Sequence, residues 1–315
     1  MTAPPSHKLV SIVIPAWNEA AGLDELARRL IGVMDANPQY RFEVIIIDNG
    51  SWDDSWDKLR AIRARDGRFR AAQLTRNFLA DGAVHAGLQL ASGDAAVMMD
   101  ADLQDPPELI SQFLAEWERG AEIVHGTIES RRGVSWVRKT LARLYYGVMS
   151  RLTGGAVRAN AGGFRLMDRR VYSLLNRMGE HNRFTRGLSA WGGFRTASVP
   201  FQRPARFAGE SKVSIRVLLK EGWDGIYAFS YLPLKLPFYF GTVALAAAAL
   251  GLVALLAGVL PALGAIAFLT VGLFGILFIL LGFLGSYVRN ITDEVRGRPG
   301  YVVRTTEGFD SPPAD

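Results

Sequence analysis

Lys8 to Ala36 reads KLVSIVIPAWNEAAGLDELARRLIGVMDA. Its first half is a short, nearly unbroken apolar run, and its second half has apolar residues at helical spacing. The sequence predicts a buried strand over KLVSIVIPAW and a helix over NEAAGLDELARRLIGVMDA. The pattern then repeats: FEVIIID (42–48) is a strand and WDDSWDKLRAIRARD (52–66) a helix. FRAAQLT (69–75) precedes a helix around DGAVHAGLQLAS, and AAVMMDA (95–101) precedes PPELISQFLAEWERG. AEIVHGT (121–127) is a fifth strand. Strands alternating with helices predict an α/β fold, a mostly parallel sheet covered on both faces. No internal repeat or low-complexity segment interrupts it.

In an open sheet of this kind, ligands bind beyond the carboxyl ends of the strands. Those ends carry Pro15, Trp17, Asn18 and Glu19, then DNGS (48–51), then Arg76 and Asn77, then DADLQD (100–105). Polar groups therefore converge on one edge. Within VMMDADLQDPPEL (97–109), Asp105 and Glu108 fit a helix start, with prolines in the first turn. Asp100 and Asp102 precede that start, and residues i and i+2 of an extended segment point the same way. Two carboxylates facing one point, with Gln104 two residues on, suit a divalent cation that shares its other positions with phosphate oxygens. Asn49 and Gly50 fit a turn, whereas Asp48 ends a strand at the ligand edge.

Composition narrows the classes. The 315 residues include 36 basic and 30 acidic ones, a net charge of +6 without a long basic run, which argues against a nucleic-acid binder. There is no cysteine, so disulfides and thiolate sites are excluded. His7, His85, His125 and His181 show no ligand spacing, and oxygen ligands favour Mg2+ or Mn2+. The N-terminus has no signal-peptide pattern. The 53 residues from Leu236 to Val288 carry no charge, enough for two membrane spans turning near Pro261. Lys220 and Lys235 precede them, and Arg289, Arg296, Arg298 and Arg304 follow. The positive-inside rule puts both ends, and the large N-terminal domain, in the cytoplasm.

The segments SIVIPAWNEA, EVIIIDNGSWDDS, LTRNF, MMDADLQDPPEL, NAGGFRLMDRRV, NRFTRGLSAWGGF and RFAGESK stand in an order that resembles one family. It is the family 2 glycosyltransferases that move a sugar onto polyisoprenyl phosphate, such as dolichyl-phosphate mannose synthase and bacterial undecaprenyl-phosphate glucosyltransferases. The resemblance covers nearly the whole chain. It implies a GT-A catalytic domain at 1–233, two transmembrane helices at 234–288 and a cytoplasmic tail at 289–315. It implies a multi-pass protein of the inner membrane, a nucleotide-sugar donor, a Mg2+ or Mn2+ cofactor, a polyprenyl phosphate acceptor and an inverting reaction. UDP-glucose is the favoured donor and GDP-mannose the next. A homo-oligomer, a tetramer by analogy, is expected.

By the same resemblance, Pro15, Trp17, Glu19, Asp48 and Asn49 meet the nucleotide-sugar. Asp100, Asp102 and Gln104 gather round the metal and the donor diphosphate. Arg206 and Lys212 close over the phosphates. Trp17 replaces the usual Tyr, Asn49 the usual second Asp, and Asn160 and Gly163 stand where acids are frequent. Ile128 stands where a basic residue is frequent. These losses leave an inactive scaffold of the same fold as one alternative. A processive polysaccharide synthase is the other, but its usual Gln-x-x-Arg-Trp motif is missing. Arg131, Arg132 and Arg138 are candidates for the acceptor phosphate, which arginine binds bidentately. WVRKTLARLYYGVMSRL (136–152) and VSIRVLLKEGWDGIYAFSYLPLKLPF (213–238) read as interfacial helices.

Overall fold

The computed structural model describes residues 7–129, 161–179, 192–204, 232–257 and 262–309. Eight strands form one sheet: β1 (Leu9–Ala16), β2 (Arg41–Asp48), β3 (Phe69–Leu74), β4 (Ala95–Met98), β5 (Ile123–Ile128), β6 (Ala161–Asp168), β7 (Thr196–Phe201) and β8 (Val303–Glu307). Their order is β7-β5-β6-β4-β1-β2-β3-β8. The helices are α1 (Leu23–Asp35), α2 (Ser55–Arg65), α3 (Leu79–Leu90), α4 (Ile110–Glu118), α5 (Arg169–Arg177), α6 (Leu232–Leu256) and α7 (Ala262–Arg296).

The parallel reading holds for the central strands: β4, β1, β2 and β3 run parallel. Three strands are absent from the sequence reading: β7 runs parallel to β5, and the other two are antiparallel. β6 inserts between β4 and β5, and β8 pairs with β3 at the edge. β6 lies inside NAGGFRLMDRRV, and β8 lies in the segment that follows the last helix.

Alternation along each strand divides the core. Val10, Ile12, Ile14, Val44 and Ile46 face α1, α2 and α4, while Val13, Ile45 and Ile47 face α3 and α5. α1 buries Leu23, Leu26, Ala27, Leu30, Val33 and Met34, the spacing of a helix with one apolar stripe. α3 packs close because it carries Gly87 over β1: a Cβ there would lie 2.3 Å from Val13 Cγ1.

Glu43, on β2, is 3% exposed. It accepts from Ser11 Oγ and from both the backbone N–H and Oγ of Ser92, and pairs with Arg70 at 2.8 Å.

The segment after α7 folds back on the sheet. The Thr75 N–H donates to Val302 O, Tyr301 stacks edge-on to His85 at 5.3 Å, and Arg60 pairs with Glu307 at 3.3 Å. α6 and α7 contact each other and leave large apolar residues exposed, among them Phe238, Leu250, Phe278 and Val295.

Candidate active site

Three loops at the carboxyl ends of β1, β2 and β3 are tied together by short polar side chains. Ser51 Oγ accepts from Asn18 N–H, Asn18 Oδ1 from Trp52 N–H, Ser55 Oγ from Glu19 N–H, and Asp53 Oδ2 from Ala20 N–H. These bonds set the Trp17–Glu19 turn against the 51–55 turn. Trp17 meets Trp52 edge-on at 4.9 Å, and Trp52 is largely exposed, so an aromatic wall stands at this edge. Pro15 is the penultimate residue of β1, opposite Ile47.

Asp48 and Asn49, expected at the nucleotide, are both engaged in hydrogen bonds within the fold. Asp48 is 0% exposed, with Oδ1 accepting from Ser51 N–H and Oδ2 from Gln73 Nε2. Asn49 donates through Nδ2 to Leu79 O and Asn77 Oδ1, and accepts from Phe78 N–H. An aspartate could not donate to those two oxygens. The departure from Asp-Asp-Gly-Ser is thus matched by a latch on the 77–79 loop. Gly50, at φ +70°, completes the turn: a Cβ there would lie 2.6 Å from the Arg76 backbone.

The acidic loop follows β4. Burial alternates along it: Ala101, Leu103 and Asp105 are buried, and Asp100, Asp102 and Gln104 are partly exposed. The i, i+2, i+4 pattern therefore brings Asp100, Asp102 and Gln104 to the outer side. Asp102 Oδ1 accepts from Gln104 N–H, which tightens the turn. Leu103 holds φ +60°, a costly conformation for a bulky residue. Asn18 (φ 54°) and Leu79 (φ 63°) share it, on two further loops of this edge.

The helical turn does begin at Pro107, with proline and Glu108 in its first turn, but the capping role of Asp105 and Glu108 is corrected: among the described residues no side chain caps the Pro107–Leu109 turn or α4. The left-handed Leu103 turns the chain back, so Asp105 Oδ2 accepts from Asp100 N–H. Glu108 instead forms a forked ion pair with Arg29 of α1. Burial, and then the neighbouring Asp100 charge, push the Asp105 carboxyl up to about 7.

Sequence reasoning missed Arg203, two residues past β7. Its Nη2 lies 3.7 Å from Asp100 Oδ2 and 3.9 Å from Asp105 Oδ1. The adjacent Pro204 O accepts from Gln104 Nε2 at 3.4 Å. No local signal marks this contact, because the partners are about a hundred residues apart in the chain. Gly163 flanks the same acid: among the described residues, a Cβ there would meet only Asp100 Oδ1, at 4.0 Å. Arg131, Arg132, Arg138, Asn160, Arg206 and Lys212 lie outside the described residues, as do the interfacial helix at 136–152 and most of that at 213–238.

The donor set fits a hard divalent cation. Asp100 and Asp102 present carboxylate oxygens, Gln104 an amide, and the loop already draws a guanidinium to Asp100. Among the described residues, no three His, Cys, Asp or Glu side chains cluster as a metal cage. An ion here would complete its shell with phosphate oxygens and water, as Mg2+ commonly does.

The parallel β4-β1-β2-β3 core with β6 antiparallel beside β4, and with the acidic loop at the end of β4, is a GT-A fold. Residues 11–175 match the family described as glycosyl transferase family 2, and the chain belongs to that family. It is 35% identical over 311 residues to the uncharacterized glycosyltransferase YkcC of Bacillus subtilis, covering 97% of this chain and 96% of that one. It is 31% identical over 301 residues to the SfII prophage-derived bactoprenol glucosyl transferase of Shigella flexneri, covering 94% and 97%. Among solved structures, glucosyl-3-phosphoglycerate synthase of Mycobacterium tuberculosis aligns with a TM-score of 0.48 at 21% identity, over 70% of this chain and 79% of that one.

Proposed function

We propose that this glycosyltransferase moves a hexose from a nucleotide-sugar to a membrane polyprenyl phosphate, with inversion at the anomeric carbon. The observation that carries the reading is the acidic loop: Asp100, Asp102 and Gln104 reach one outer side while Ala101, Leu103 and Asp105 anchor it. Near-full-length similarity to a protein named for glucosyl transfer to bactoprenol supports the acceptor class and makes UDP-glucose the first donor to try, ahead of GDP-mannose.

In this reading Asp100 and Asp102 hold Mg2+ or Mn2+, which when bound neutralises the departing diphosphate. The Trp17–Trp52 wall takes the base, Glu19 and Pro15 line the same turn, and Asp48 and Asn49 hold the loops that shape it. Arg206 and Lys212 close on the phosphates. The acceptor phosphate has a second pKa of about 6, so it is largely ionised at neutral pH and attacks without a strong general base. Arg131, Arg132 and Arg138 neutralise it. The bond from the anomeric carbon to the diphosphate oxygen breaks as the bond to the acceptor oxygen forms.

A lipid acceptor requires the site at a bilayer surface. Gly272–Arg296 is long and apolar enough to cross one, with mean hydropathy 1.8 and none of its window buried. We assign α6 and α7 as a membrane hairpin, with residues 1–233 as the cytoplasmic catalytic domain and both ends of the hairpin on that side. The localisation is the inner membrane, and the assembly a homo-oligomer.

The test is nucleotide release by the full chain in lipid vesicles containing a polyprenyl phosphate, with Mn2+ or Mg2+ and a panel of UDP- and GDP-sugars. Release that requires both metal and lipid is expected, fastest with UDP-glucose. Absence of turnover with every donor would instead support the scaffold.

A further inference from the structure

Arg203 reaches the acidic loop from far across the sheet. β7, which it follows, is separated from β4 by β5 and β6, a span of about 14 Å at the usual strand spacing. It arrives at Asp100 and Asp105 with only 23% of its side chain exposed. Yet its grip there is loose. A charge-assisted N–H···O bond runs at about 2.7–2.9 Å, and both contacts here exceed 3.6 Å. Its Nε is buried without a hydrogen-bond partner among the described residues. A planar fork with five donors is therefore parked against two carboxylates while using its donors poorly. A buried donor left idle is costly, and a tetrahedral phosphate offers the bidentate acceptor that would satisfy it.

We infer that Arg203 is the resident counter-cation of the acidic loop and is exchanged for the metal when the donor binds, passing to the donor diphosphate. This rests on the donor site proposed above. Without donor, the guanidinium shields Asp100 and Asp105 from each other and competes for Asp100 with a divalent ion. With donor, the ion takes Asp100, and the Arg203 fork takes diphosphate oxygens a short distance away. Metal and diphosphate binding are then coupled through one side chain, and by linkage the coupling runs equally in both directions.

The experiment measures Mn2+ binding by the full chain in detergent, alone and with UDP, GDP, UMP or GMP, reading free Mn2+ by electron paramagnetic resonance. R203Q should bind Mn2+ alone about fivefold more tightly than wild type. Its affinity for UDP or GDP in saturating Mn2+ should fall about tenfold or more, with a smaller change for UMP and GMP. R203K keeps the charge but loses the planar fork. It should match wild type for Mn2+ alone and weaken only the diphosphates, and it keeps the test open if R203Q does not fold by circular dichroism. An R203Q protein that binds Mn2+ alone no more tightly than wild type overturns the exchange, whatever its diphosphate affinity. If Mn2+-loaded wild type binds neither UDP nor GDP, the donor reading itself falls, and the exchange falls with it. The wild-type titration therefore separates that failure from a failure of Arg203 alone.

Discussion

Glu43 and Asp105 are buried to the same degree, at 3% exposure each, and lie on opposite sides of the molecule's use. Glu43 sits within the sheet, where two serines and Arg70 meet its oxygens closely. Asp105 sits at the ligand edge with one backbone N–H at 3.1 Å and a guanidinium at 3.9 Å, and its carboxyl is pushed up to about 7. In one carboxylate, Oε1 accepts three bonds from the two serines and Oε2 faces Arg70 at 2.8 Å. The other is left short of partners beside Asp100 and Asp102. The same contrast holds for the backbone: among the described residues, the non-glycine residues at positive φ, Asn18, Leu79 and Leu103, stand at the ligand edge, Leu79 as the first residue of α3. Strain of this kind persists only where the surroundings over-determine it, and it gathers at functional sites.

The contrast can be broken by mutation. Asp102→Asn should lower turnover by about 10³-fold while leaving the urea midpoint within error, because an outward acid supports chemistry rather than packing. Full activity in nucleotide release would remove Asp102 from the metal site. Glu43→Ala should do the reverse. It strands Arg70, Ser11 and Ser92, and should cost about 3 kcal/mol in urea unfolding with unchanged activity per folded molecule. Asn49→Asp tests the border between the two regions. It brings a carboxylate against Leu79 O and Asn77 Oδ1, and should cost about 2 kcal/mol, together with a raised KM for donor as the 77–79 loop loosens. A stability equal to wild type would show that the latch is dispensable. The smallest effect is expected at Leu79, which is 67% exposed at φ +63°. Leu79→Gly relieves the strain without losing burial and should stabilise the fold by about 1 kcal/mol or less, read as a slightly higher thermal midpoint.

Much of this was legible in the sequence, for identifiable reasons. Strands buried on both faces read as continuous apolar runs, so VSIVI, FEVIIID and AAVMM declare themselves. Asp100, Asp102 and Gln104 are the partly exposed residues of the loop, as alternation suggests, but a turn with Leu103 left-handed sets them there rather than an extended strand. β8 was illegible because VRTTE is a short, half-polar edge strand with no pattern of its own. β6 is hidden because AGGFRLMD opens on two glycines and carries Arg165 and Asp168, which break an apolar strand pattern. The proline-rich helix start is legible, but the partner of Asp105 is not, because nothing in the sequence marks Leu103 as the left-handed residue that redirects its carboxylate. Arg203 depends on a contact spanning the sheet, which no window of sequence contains.

The pairing of β3 with β8 also acts as a parity check. β3 belongs to the chain before α6 and α7, β8 to the chain after them, and the two are neighbours in one sheet. A path that begins and ends in the same sheet crosses any intervening barrier an even number of times. Among the described residues hydropathy singles out one long helix, Gly272–Arg296, but a single crossing is topologically forbidden. If α7 traverses a bilayer, a second crossing must return the chain, and α6, which contacts α7, is the described helix placed to supply it; the five-residue strand that looks like an afterthought sets that parity.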